Sequence, residues 1–179
     1  IPDSVTQIGA FAFAHCTSLQ SCTMPSQVTS IGNEAFNSCT SLTEMVIPEG
    51  VTNIAAYAFY NCENLQSVTI PESVTAIGNS AFANCTGLKS VSLPKQLKKL
   101  ENWTFIGCAK LTEVTIPDSV TSIGDYAFRD STGLTKIVIP DSVTSIGDSA
   151  FDNCDNLIIY GHTGSFAETY AKEHGIQFA

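Results

Sequence analysis

Basic side chains are scarce in this sequence: eight Lys and Arg stand against 17 Asp and Glu, for a formal net charge of -9. A surface of that sign repels polyanions, which excludes nucleic acid and anionic membrane as main partners. No apolar run approaches the roughly 18 residues that a membrane-crossing helix requires, so no membrane insertion is expected. No basic-then-apolar leader opens the chain either. The first residues already belong to the pattern described below, so the natural protein is expected to continue upstream, where any export signal would lie. His15, His162 and His174 have no Ser, Cys or carboxylate partner at a diagnostic spacing. No catalytic residue is assigned on that basis, and the chain reads as a non-enzyme without a cofactor. Short Cys pairs are missing as well, which removes the usual zinc signature. Neither an EF-hand nor a glycine-rich calcium nonapeptide occurs, so the acids that follow the prolines read as solvated turn residues and no metal site is expected.

What is there is a period. All seven prolines, Pro2, Pro25, Pro48, Pro71, Pro94, Pro117 and Pro140, are spaced by 23 residues. In the same phase run Phe13, Phe36, Phe59, Phe82, Phe105, Phe128 and Phe151, and an unbroken leucine column from Leu19 to Leu157. Six of the seven cysteines share one slot, with Ser131 in the remaining copy and Cys22 out of phase. The segment IPDSVTSIGD occurs twice, at 116–125 and at 139–148. A period of this length marks a solenoid, in which no coil covers its own apolar face and each is covered by the next.

Within one repeat, Val114 and Ile116 alternate with Glu113 and Thr115, the two-residue period of a strand with one buried face. Proline ends that strand, and VTSIG (120–124) reads as a second, shorter one. DYAFRDS (125–131) has the spacing of one turn of α- or 3₁₀-helix. Glycine follows the isoleucine column at Gly9, Gly32, Gly78, Gly124 and Gly147, which suggests a backbone angle that glycine adopts freely. Ala55 and Glu101 in that slot make the requirement a soft one. The cysteine column is expected to point inward as small, reduced hydrophobes, because parallel copies present poor geometry for bridging.

The L-x-x-V-x-I core, together with the Pro, Ile-Gly, Ala-Phe, Cys and Leu slots of IPDSVTSIGDSAFDNCDNL (139–157), resembles the BspA-like bacterial surface-antigen class of leucine-rich repeats. The resemblance covers about residues 1–162. It implies a leucine-rich-repeat solenoid: a right-handed β/α superhelix, rich in β, with parallel strands stacked from seven 23-residue repeats. It also implies a secreted or surface-displayed protein, adhesion for some members, and no catalytic motif. After His162 the repeat stops, with Thr163 where the next proline would stand. Ser165 and Glu168 form a capping box and Gly175 is a stop, so a helix is expected over 166–174 with Phe166 and Tyr170 on one face. IQF (176–178) then adds a last strand, and residues 163–179 form a C-terminal cap.

Two surfaces are candidate sites. The outward positions of the strands should line a concave face, with Glu44, Val46, Thr69, Ser92, Glu113, Thr115, Lys136 and Val138 as binding candidates. Repeat five, PKQLKKLENWTFIGCAK (94–110), departs most from the consensus. Its Lys95, Lys98 and Lys99, with the sole tryptophan Trp103, form a basic patch suited to an acidic partner. Trp103 shares its slot with Phe11, Tyr57 and Tyr126, which also raises a sugar-stacking platform. The sequence therefore points to a monomeric, non-catalytic module. The resemblance implies as its partner an unidentified protein, with proteins of the extracellular matrix or a cell surface as candidates, and an extracellular or cell-surface location. A carbohydrate-binding or spacer module of a larger secreted protein is the alternative.

Overall fold

The computed structural model describes residues 1–179 as a stack of parallel coils, each beginning at one of the seven prolines. Two strands per coil build two ladders. The shorter strands, after the proline turn, are β1 (Ser30–Ile31), β3 (Asn53–Ile54), β5 (Ala76–Ile77), β7 (Lys99–Leu100), β9 (Ser122–Ile123) and β11 (Ser145–Ile146). The longer strands, before the next proline, are β2 (Glu44–Val46), β4 (Ser67–Thr69), β6 (Ser90–Val91), β8 (Glu113–Thr115), β10 (Lys136–Val138) and β12 (Ile158–Tyr160). Pairing is parallel and mostly in 23-residue register, as in Glu44 opposite Ser67 and Ser122 opposite Ser145.

One continuous core of 48 buried residues runs through the stack. Its spine is the phenylalanine column, whose neighbouring rings lie 5.0–5.6 Å apart and within 12° of parallel. Each such pair contributes roughly 0.5–1.5 kcal/mol beyond the area it buries.

The segment expected to form a helical turn is instead a chain of tight turns. Its N–H groups alternate in direction: those of Ala12, Ala14 and Cys16 close turns within the coil, whereas those of Phe11, Phe13 and His15 donate to the next coil at 2.7–2.9 Å. A helix would turn every N–H inward and leave the neighbour without partners. The alternation places two residues per coil in the left-handed region. Phe11, Glu34, Tyr57, Ser80, Trp103, Tyr126 and Ser149 occupy one slot, and His15, Ser38, Asn61, Asn84, Asp130 and Asn153 the other, all with φ of 52–62°. Asn and Asp tolerate this conformation; Trp and Tyr hold it at a cost of roughly 1–2 kcal/mol, offset by the bonds across coils.

The glycine column has a different cause from the one the sequence suggested, since none of its members has a positive φ. A β-carbon at Gly78 would sit 2.5 Å from the Ala56 nitrogen and 2.8 Å from the Ala55 carbonyl carbon. Close approach of the preceding coil, not backbone angle, selects glycine there.

The cysteine column has a stated bonding role. The thiols of Cys39, Cys62, Cys85, Cys108 and Cys154 donate to the carbonyl of a phenylalanine 26 residues earlier at 3.1–3.3 Å. Ser131 makes the same bond to Phe105 at 2.8 Å. A hydroxyl fits the slot because the slot requires a small donor. All seven cysteines are free; Cys16 is exposed and Cys22 half-buried. Burial pushes the Cys39 thiol up to about 11 and those of Cys62, Cys108 and Cys154 up to about 12.

At the end of the array the register changes. Ile158 pairs with Lys136, 22 residues away, so one residue is missing and His162, rather than Thr163, stands opposite Pro140. Helix α1 (Phe166–Glu173) follows, with Ser165 as N-cap accepting from the Glu168 N–H and the Glu168 carboxylate accepting from the Gly164 N–H. Its buried face is Ala167, Tyr170 and Ala171, with the Tyr170 ring edge-on to Phe151 at 6.0 Å. Phe166, expected on that face, is 40% exposed, because the stripe runs one position later. Strand β13 (Gln177–Phe178) then pairs with β12.

Four outcomes test this packing. Ser131→Ala should cost about 0.5–1.5 kcal/mol in urea unfolding, because the Ser131 hydroxyl's bonds to the Phe105 carbonyl and from the Cys108 N–H are lost while the Cys108 N–H still reaches that carbonyl at 3.3 Å, and Ser131→Cys should cost less than half as much. At about pH 8, Ellman's reagent should label Cys16 quickly, Cys22 slowly and the other five only after unfolding. These thiols have raised folded pKa values, so they contribute fully below about pH 9, and the contribution is lost as pH rises toward about 12. The Tm should therefore fall over that window, and fall less after Cys62→Ser and Cys108→Ser. Deleting 163–179 uncovers Phe151, Leu157 and Ile159 and should yield aggregates by light scattering; a monomeric deletion would show that the last coil needs no cover.

Candidate functional site

The two strand ladders turn their outward side chains to solvent with no element packed on them. Glu44, Thr69, Ser92, Glu113, Thr115 and Lys136 are exposed, as the two-residue period requires. Val46 is the most exposed large apolar side chain at 64%, whereas Val138 is half-buried. The expected binding residues therefore share one continuous surface.

That surface is not uniform. The longer strands fall into two sheets, β2-β4-β6 and β8-β10-β12-β13, with no ladder between β6 and β8. Over this gap lies a cleft of about 730 Å³ lined by Ser90, Ser92, Lys95, Glu113, Thr115, Asp118, Ser119 and Lys136, among others. The Lys136 ammonium is 3.8 Å from the Glu113 carboxylate and 5.6 Å from the centre of the Tyr160 ring. Two cations, two carboxylates and several hydroxyls on an open face suit a polar partner surface, and none of them is held in a hydrogen-bonded nucleophile–base pair. A second hollow of about 390 Å³ surrounds Val46, with Cys22, Met24 and Glu44.

Lys95 thus joins the strand face. The rest of the repeat-five patch does not gather with it. Lys98 and Lys99 lie on the shorter ladder, where Lys99 pairs with Glu101 at 2.7 Å. Trp103 sits on the turn side, its ring parallel to Tyr126 at 6.1 Å, and the Arg129 guanidinium lies 5.4 Å from the Tyr126 centre. Trp103 and Tyr126 cover each other's faces, whereas a sugar platform presents ring faces outward.

Asp118 was read from the sequence as a solvated turn residue and Ser119 was not among the binding candidates; the cleft adds both to the strand face. No cluster of three or more His, Cys, Asp or Glu has the geometry to hold a metal ion, and no helix is long and apolar enough to cross a membrane.

An array of this kind, with a bare strand face and no assembled reactive groups, defines a leucine-rich-repeat scaffold. The family model for the BspA type leucine rich repeat region matches residues 1–108 and 52–168 in six copies, and the chain belongs to that family. A leucine-rich-repeat protein of T. pallidum is 26% identical, with TM-score 0.84, covering 100% of this chain and 83% of that one. A leucine-rich cell surface protein of Faecalibacterium prausnitzii is 33% identical (TM-score 0.71; 95% and 54% covered). One from Bacteroides ovatus is 30% identical (TM-score 0.64; 89% and 61% covered). The pneumococcal vaccine antigen PcpA, at 19% identity and TM-score 0.61, shares the fold. No curated protein matches the chain.

Proposed function

We propose that this chain is a non-catalytic protein-binding module of a secreted or surface-displayed bacterial protein, acting in adhesion, and that it binds through the longer-strand face centred on the cleft between the fourth and fifth coils. The observation that carries this reading is the cleft itself. It interrupts an otherwise even sheet, and four of the strand-face candidates together with Lys95 converge there: Ser92, Glu113, Thr115 and Lys136. Large, bare, polar strand faces are the usual binding surfaces of solenoids. The similarity to a leucine-rich cell surface protein supports the location.

The test is a label-free binding screen against matrix proteins and a polysaccharide panel at two salt concentrations. Saturable binding to a protein is expected, weakened by salt because Lys95 and Lys136 are exposed. Lys95→Glu with Lys136→Glu should weaken it by about tenfold or more, and Val46→Asp by less. Binding that ignores all three changes would remove the strand face as the site. Saturable binding to a polysaccharide alone, lost with Trp103→Ala, would replace the reading with the carbohydrate module.

A further inference from the structure

Among the coils that carry strands, the junction between coil 4, which begins at Pro71, and coil 5, which begins at Pro94, is the one junction where neither strand ladder forms. The shorter strands fall into β1-β3-β5 and β7-β9-β11, just as the longer ones divide between β6 and β8. Elsewhere the slot of Thr75 bonds to the coil before it: Thr29 to Thr6, Thr52 to Thr29, Thr75 to Thr52, Thr121 to Lys98 and Thr144 to Thr121, all at 2.9–3.0 Å. Lys98 makes no such bond to Thr75. Gly78 donates to Ile54 and Gly124 to Leu100, but Glu101 does not donate to Ile77. Ile116 donates to Val138, whereas Leu93 does not donate to Thr115, a bond that Ile70 also lacks to Ser92 one junction earlier. Near the strands only the long Thr112–Lys89 bond of 3.4 Å and the Lys95 N–H to the Glu72 carboxylate cross the junction.

On the turn side the same junction is complete. Ser80, Phe82 and Asn84 donate to Asn102, Thr104 and Ile106 at 2.7–3.0 Å, and Phe82 stacks on Phe105 at 5.6 Å. One edge is laced and the other is open.

Three side chains of coil 5, Lys98, Lys99 and Glu101, account for the opening. Gln96 adds to it without deciding it: Ser73 and Ser119 each donate a hydroxyl to the coil before, at 2.7 and 2.6 Å, but the coils with Gly50 and Ser142 lack that bond too and keep their ladders. Thr75 and Thr121 add hydroxyl bonds of 3.3 Å, which Lys98 cannot make. Lys99 replaces a small residue and ties Glu101 at the surface. Glu101 fills the glycine slot, where a β-carbon meets the neighbouring backbone. Ala55 fills the same slot and keeps its 2.9 Å bond to Ile31, so a β-carbon alone is absorbed. The longer Glu101 side chain, with the ties of the threonine slot missing at Lys98, is not.

We propose that this junction is a hinge: coils 1–4 and coils 5–7 move as two bodies about the laced phenylalanine edge, and the motion sets the width of the cleft above the seam. The consequence for binding rests on the cleft being the binding surface; the hinge itself does not.

Residue-resolved hydrogen exchange on the whole chain tests it. Amides of Leu93, Lys98 and Glu101 should exchange at least about tenfold faster than their counterparts Ile116, Thr121 and Gly124. In a re-laced variant carrying Gln96→Ser, Lys98→Thr, Lys99→Ser and Glu101→Gly, that gap should close to about threefold or less. Lys98→Thr alone should slow exchange at residue 98, which keeps the test valid if the fourfold variant does not fold. Equal exchange in the unmodified chain, or a folded re-laced variant with the gap unchanged, overturns the hinge. The re-laced variant is then run in the matrix-protein screen, where a change in affinity of about tenfold is expected. Slowed exchange without any protein binding in either form supports the hinge and overturns the binding surface.

Discussion

Each coil can bury its apolar edge only against a neighbour with the same outline, and the rest of the molecule follows from that self-matching. Identical rings at identical heights are what allow the phenylalanines to stack within 12° of parallel along the whole array. The same demand selects glycine where backbones come closest, since a β-carbon there meets the preceding coil within 2.5–2.8 Å at Gly78. It also explains two turns per coil with left-handed residues: they swing alternate N–H groups outward, so that every coil both gives and receives bonds.

The slots are specified by task more than by residue type. The cysteine slot needs a small buried donor for a phenylalanine carbonyl, and Ser131 meets that need with a bond to Phe105 shorter than any thiol makes. The threonine slot needs a backbone N–H and a hydroxyl aimed at one carbonyl, and lysine supplies neither at the Thr75 carbonyl. Coil 5 therefore shows what the ties do by lacking them. Its departures were visible as a run of lysines; their structural meaning lies in the bonds that the replaced residues would have made.

The architecture was legible in the sequence because a solenoid writes every contact seven times. The prolines marked the strand ends, the alternation around Val114 marked the buried face, and the Ser165–Glu168 pair marked the helix start. The turn segment was not legible, because spacing at Ala127, Phe128 and Ser131 is shared by a helical turn and by two tight turns; what separates them is where the N–H groups point. The Asn61, Asn84, Asp130 and Asn153 slot did carry a signal of left-handed backbone. The missing residue between Leu157 and Ile158 leaves no mark in the columns, which keep their phase through Leu157; it shows only in which residues pair across the strands. Among candidate site residues, outward direction was readable from the period, whereas the cleft was not. It depends on a gap between β6 and β8, and the cause of that gap sits across the coil at Lys98, Lys99 and Glu101.

In an array whose coils touch only their neighbours, stability is a sum of coil and interface terms, and cooperativity extends only as far as the interfaces are strong. A seam held along one edge divides that sum. Coils 1–4 and coils 5–7 with the terminal helix then become two cooperative units joined by the thinnest interface in the chain. Thermal or mechanical stress then has a built-in place to part them, and the chain under tension would lengthen there first while each half keeps its own phenylalanine stack intact.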